Sequence, residues 1–159
     1  MIDGPFPSEI VDAARSWIGT RYHHQTSVKG VGCDCLGLLA GIWREVYGTM
    51  PEPMPAYSSD WGDADGNEHV LAAARRHFDE INLHHAGPSD VLAFRWRKGG
   101  PAKHCGILVG SGRMIHAYEK KGVVEVHLGS FADRAVAAFA WRPRNRVLTP
   151  EHLAEAREI

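Results

Sequence analysis

A full disulfide framework, a membrane span and an excess of charge of one sign are all missing from this sequence. Three cysteines in 159 residues is an odd count, which excludes a full disulfide framework. Cys33 and Cys105 could still pair, but a reduced or catalytic use of sulfur is more economical. Lys and Arg number 18 against 19 Asp and Glu, for a net charge of -1, so no global field gathers nucleic acid or an anionic membrane. No apolar run approaches the length of a transmembrane helix. The opening Met-Ile-Asp-Gly-Pro-Phe-Pro has neither the basic stretch nor the apolar core of a secretory signal. The expectation is a protein made in the cytoplasm and kept there unless something else carries it out. No repeat, linker or low-complexity tract interrupts the chain. With 44% hydrophobic residues it is long enough to bury a core, so one domain over residues 1–159 is expected.

What is present reads as helices first and strands later. Ser8 precedes an amphipathic segment with Ile10, Val11, Ala14, Trp17 and Ile18 at helical spacing, closed by Gly19. Residues 20–32 read as a loop holding Tyr22, His23 and His24. A second helix is expected from Cys35 to Tyr47, with Leu38, Leu39, Ile42, Trp43 and Val46 as its apolar stripe and Gly48 at its end. Pro51, Pro53 and Pro55, followed by Ser58, Ser59, Gly62 and Gly66, make residues 49–66 an irregular excursion packed by Tyr57 and Trp61. Asn67 is the expected cap of a third helix running to about Glu80. Beyond residue 88 the period changes to that of strands, at Asp90–Arg95, His104–Gly110, Arg113–Tyr118, Gly122–His127 and Ala137–Trp141. Thr149-Pro150-Glu151 opens a short terminal helix. The pattern is an α+β domain: an antiparallel sheet of about five strands packed on the Cys35 helix. Arg142, Arg144 and Arg146 are expected to decorate a surface strand end.

The chemistry concentrates at Gly32-Cys33-Asp34-Cys35-Leu36-Gly37. A thiol at a helix N-terminus is partly ionised by the helix dipole, and an imidazole can take its proton. Cys35 is therefore the candidate nucleophile, against the plainer role of a buried small hydrophobe. Gly37 is expected to keep the first turn open to a substrate. His104 is the candidate base and His116 the residue that orients it, provided that both share a sheet face. A two-residue loop at Ser111-Gly112 would put them on opposite faces; an odd loop would bring them together. Tyr22 could donate a hydrogen bond into the site or merely cover the helix end. His23 and His24 read as solvated loop residues, Cys33 and Cys105 as packed thiols. A zinc site built from Cys33, Cys35, His104 and Cys105 is disfavoured, because Cys-x-Cys is short for a knuckle and adjacent strand residues point oppositely. Neither a metal nor another cofactor is expected.

These residues resemble the signature of NlpC-type cell-wall peptidases, papain-like cysteine hydrolases of bacteria and phages. The matching pieces are Asp34-Cys35-Leu36-Gly37, the strand Ser89-Asp90-Val91-Leu92-Ala93-Phe94, His104-Cys105-Gly106-Ile107, and His116 within Met-Ile-His-Ala. Gly19-Thr20-Arg21-Tyr22 is similar to the family's Gly-Thr-x-Tyr, whose tyrosine lines the site. The run from His23 to Leu38 most resembles members encoded with phage tails and gene-transfer-agent particles. The resemblance implies a papain-like fold and a peptidoglycan hydrolase that cuts stem peptides at the γ-D-glutamyl–diaminopimelate bond. It implies Cys35 as nucleophile, His104 as acid and base, His116 as its orienter and Tyr22 as an oxyanion or substrate contact. Asp34, Leu36, Gly37 and Trp61 would line the substrate, with Leu36 standing where the family carries serine. It also implies hub proteins of a tail-like particle as partners, and delivery by that particle to the cell wall.

Overall fold

Pro7 occupies the first helical position of α1 (Pro7–Ser16), where its missing N–H costs nothing, and this moves the start one residue ahead of Ser8. Phe6 stands at the cap instead, its amide donating to Glu9 Oε2 at 3.2 Å. The computed structural model describes residues 3–50 and 66–147. The proline-rich segment with Tyr57 and Trp61, and the terminal helix expected at Thr149, lie outside the described residues.

After α1, a short ribbon pairs β1 (Ser27–Val28) with β2 (Gly32–Cys33), and Asp34 then caps α2 (Cys35–Tyr47), which ends at Gly48 with a φ of 99°. α2 packs on α1 so closely that Gly41 has no room for a side chain. A Cβ there would sit 2.0 Å from the Trp17 ring. The Trp17 indole is thereby buried across the helix, and its N–H donates to Glu45 at 3.1 Å. One core joins Ile10, Ala14, Trp17, Leu38 and Ile42 to the inner sheet residues Ala93, Cys105, Ile107, Ile115 and Ala117.

α3 (His69–His77) is capped at Glu68 rather than Asn67 and stops short of Glu80. Arg142 donates to the carbonyls of Arg75, Arg76 and Phe78, which satisfies the end of that helix. Released from the helix, Asp79–Ile81 form β3, a strand that periodicity alone assigned to helix. There follow β4 (Val91–Arg95), β5 (Ala102–Gly110), β6 (Arg113–Tyr118), β7 (Gly122–His127) and β8 (Ala135–Ala140). Among the described residues the main sheet has six strands in the order β3-β8-β4-β5-β6-β7, every neighbouring pair antiparallel. The sixth strand exceeds the five expected, and the α+β architecture stands. Among the described residues no helix is long and apolar enough to cross a membrane.

Candidate active site

Asp34 builds the start of the cysteine helix. Its Oδ1 accepts from the Gly37 amide at 2.8 Å, as an N-cap carboxylate should, and its Oδ2 accepts from the Gln25 amide at 2.7 Å. The carboxylate, 1% exposed, is thus committed to backbone groups and holds loop 20–33 against the helix rather than lining a substrate. Gly37 does not hold the first turn open either. A Cβ there would lie 1.9 Å from the Thr26 carbonyl, so the missing side chain admits the loop. The Gly37 carbonyl in turn accepts from Ser27 Oγ at 2.6 Å. Leu36 is half-buried and packs against the core.

The same loop delivers Tyr22. Cys33 N–H donates to Arg21 O at 2.9 Å, and His23 N–H donates to Cys33 O at 3.0 Å, so Tyr22 runs alongside the residues leading into Cys35. Burial pushes its phenol above the ordinary range, and the Cys35 and Asp34 charges add to this. Tyr22 therefore stays protonated and able to donate.

The two histidines meet through a device the chain pattern does not advertise. Ser111-Gly112, both at positive φ, form the two-residue loop that alone would have separated them. A bulge restores the match: Gly110 pairs with Arg113, but Leu108 pairs with Met114 and Ile107 with Ile115. The extra residue, Val109, shifts the register by one and brings His104 and His116 onto one face. His104 Nε2 and His116 Nδ1 lie 2.8 Å apart. Both rings are buried, at 5% and 1% exposure. Phe94, paired with His104 across β4 and β5, shares their side of the sheet.

Cys35 meets this pair at the end of the sheet where β5 begins. Its Sγ lies 3.9 Å from Lys103 O, and the His104 imidazole is near enough to act on the thiol. With His104 Nε2 turned to His116, the ring's Nδ1 is the atom left for sulfur. The Cys35 thiol is lowered to about 5, first by a hydrogen bond from Cys105 and then, against the cost of burial, by the bond and charge of His104. Burial, followed by the charge of His104, holds His116 down at about 4. His116 is thus a neutral partner at physiological pH. Cys33 moves the opposite way, burial and the nearby anions pushing it up to about 12, which leaves it an inert packed thiol. All three cysteines are free.

Trp96 and Cys105 complete the site. Trp96 stacks on His104 with centroids 4.9 Å apart at 29°, and Phe131 meets both Trp96 and His116 edge-on. Tyr118 stacks on the far side of His116 at 5.3 Å. This aromatic collar shields the inter-histidine hydrogen bond from water. Only the alternation of Phe94 in β4 with Trp96 just past its end hints at it in the sequence. His23 and His24 are exposed, His24 Nδ1 lying 3.8 Å from Asp34. Among the described residues no group of three or more His, Cys, Asp or Glu is placed to hold a metal ion. Trp61 lies outside the described residues.

Set against known proteins, the chain covers 74% of its length in a match to murein DD-endopeptidase MepS/murein LD-carboxypeptidase of Escherichia coli, at 26% identity over 118 residues. It spans about half of that relative, 52%. Among solved structures, the NlpC/p60 domain of the peptidoglycan hydrolase SagA superposes with a TM-score of 0.58 at 24% identity, covering 85% of this chain and 98% of that one. An NlpC/P60 protein from Bacillus cereus gives 0.65 at 20% identity, covering 89% and 42%. The papain-like fold is common to them. The model of the NlpC/P60 family matches residues 19–140, a span that takes in the loop of Tyr22, the cysteine helix and both histidine strands, and on that match the chain belongs to the NlpC/P60 family.

Proposed function

We propose that this chain is a cysteine endopeptidase that cuts the stem peptides of peptidoglycan. One observation carries the reading: a thiol at a helix start, lowered by the His104 imidazole, whose Nε2 is 2.8 Å from Nδ1 of a neutral His116. Family membership, and the murein-cleaving relative, supply the substrate class. The reaction follows from the geometry. The Cys35 thiolate attacks the scissile carbonyl carbon, and the oxyanion is met by the Cys35 amide, which lies in the unpaired first turn of α2, and by the Tyr22 phenol. The C–N bond breaks as His104 Nδ1 gives its proton to the leaving amine, leaving a thioester on Cys35. His104 then takes a proton from water, whose attack releases the acid and restores the thiolate. Throughout, His104 Nε2–H donates to His116, which fixes the ring and its tautomer.

Within the stem peptide, the γ-D-glutamyl–diaminopimelate bond is the assigned target, resting on the signature that this chain shares with NlpC-type peptidases. Delivery by a phage-tail or gene-transfer-agent particle, docked through its hub proteins and acting at the cell wall, rests on the His23–Leu38 run. The deciding experiment is mass spectrometry of muropeptides after incubation with wild-type and Cys35→Ala protein. Wild type is expected to release fragments split at that bond, and Cys35→Ala none while keeping its fold. Undiminished cleavage by the variant would overturn the mechanism; cleavage at a D,D or L,D bond would replace the target bond. Activity only in assembled particles would make docking the primary role.

A further inference from the structure

The mechanism leaves two buried sulfurs unused, Cys33 and Cys105, and the second touches the nucleophile. Cys105 follows His104 in β5 and, by strand alternation, faces the opposite way, into the core beneath α2 with Ile107 and Ala117. It is 3% exposed, yet it is not merely filler. Its Sγ lies 3.5 Å from the backbone carbonyl of Cys35, to which it donates, and the two thiols act on each other, Cys35 being lowered and Cys105 raised. The carbonyl and the sulfur belong to the same residue, the nucleophile.

We propose that Cys105 is a positioning residue for the nucleophile: its S–H rests on the Cys35 carbonyl and swings onto the Cys35 sulfur when that sulfur is an anion. This rests on the reading of Cys35 as the reactive thiolate. The groups facing that sulfur are few. His104 and Cys105 approach from β5, Asp34 and Cys33 from the turn before α2, and Tyr22 from the loop. Asp34 disfavours a negative charge there, Cys33 and Tyr22 keep their protons and add no charge, and His104 and Cys105 favour it. Cys105 itself is held well above the ordinary thiol range, first by the bond to Cys35 and then by burial. Of the two sulfurs it therefore keeps the proton. The arrangement has a definite chemical signature. A donor to the thiolate increases the ionised fraction at low pH but withdraws electron density, so it lowers the intrinsic nucleophilicity of the ionised sulfur. Once the thioester forms, the sulfur is a poor acceptor and the S–H returns to the carbonyl.

The test measures the rate of alkylation of Cys35 by iodoacetamide against pH, with the adduct located by peptide mass spectrometry. This reads the sulfur directly and is separate from muropeptide release. Cys105→Ala removes the donor, and Cys105→Ser keeps one in the same place. In Cys105→Ala the midpoint of the profile is expected to move up by about one pH unit or more, roughly a tenfold loss of rate on the acid side. Its high-pH plateau is expected to equal or exceed that of wild type, and Cys105→Ser is expected to restore the wild-type midpoint. An unmoved midpoint with a lowered plateau would mean that Cys105 only fills space, and would overturn the proposal. A Cys35 that alkylates normally while peptidoglycan stays intact would refute the hydrolase reading and leave the role of Cys105 standing.

Discussion

Surroundings set the protonation of two side chains at the site: Cys35 is lowered by its neighbours and His116 by burial. His116 is held neutral by burial, so folding resists its protonation. Its pKa is about 4 in the fold against the ordinary value near 6.5, and the unfolded chain binds the proton first as pH falls. The stability this contributes is fully present above pH 6.5 or so and is lost as pH drops toward 4. Thermal melts across that window should show a falling midpoint, and His116→Asn should flatten the slope. Tyr22 offers a second check. If its phenol meets the oxyanion, Tyr22→Phe lowers kcat by about 100-fold or more, with KM little changed; a change confined to KM would make it a substrate contact only. That Cys35, His104 and His116 come together was readable in the chain because each sits in a short motif at the spacing a sheet and a helix start can join. Cys105 and Trp96 were not, because their importance depends on what lies across a strand pair. Asp34 and Gly37 were readable as special but with another purpose: they bind the loop to the helix, Asp34 by its carboxylate on the Gln25 and Gly37 amides and Gly37 by leaving room for the Thr26 carbonyl.

At the level of elements, the helix that carries the sulfur and the loop that carries the phenol are tied together by hydrogen bonds and close packing. Gly37 is where they touch, and Gly37→Ala would drive a methyl group onto the Thr26 carbonyl 1.9 Å away. The expected cost is about 1–3 kcal/mol of stability. Activity should fall further than this, because the loop must swing out and take Tyr22 with it. Comparing kcat with the thermal midpoint separates the two effects; a variant that melts earlier but turns over normally would uncouple loop from site. The helices were legible from periodicity, α2 to the residue, whereas the caps expected at Ser8 and Asn67 fell at Phe6 and Glu68. β3 was hidden because the amphipathic pattern of α3 continues past His77, and only Arg142, far along the chain, marks where the helix stops. The parity of the histidines was legible as a condition. What met it was a bulge at Val109 rather than an odd loop, and a bulge in a run of Leu, Val and Gly leaves no distinctive mark.

Over the whole molecule, three arginines near the C-terminal end of the described chain hold its layers together rather than decorating a strand end. Arg142 joins α3 to β8 through three carbonyls and Asp79. Arg144 reaches the Val46 carbonyl at the end of α2 and Glu9 in α1, and Arg146 also pairs with Asp79. Arg142→Ala leaves the end of α3 unsatisfied and should cost about 2 kcal/mol, a drop of roughly 4–8 °C in melting temperature. Calorimetry checks this, and no drop at all would show that water replaces the guanidinium freely. The bulged hairpin has a consequence for anyone exchanging its tip. Replacement turns of even length keep the two imidazoles in phase, whereas a turn longer by one residue adds a second half-period and sends one ring out the back of the sheet. Segments borrowed from relatives must therefore be matched by count before they are matched by composition.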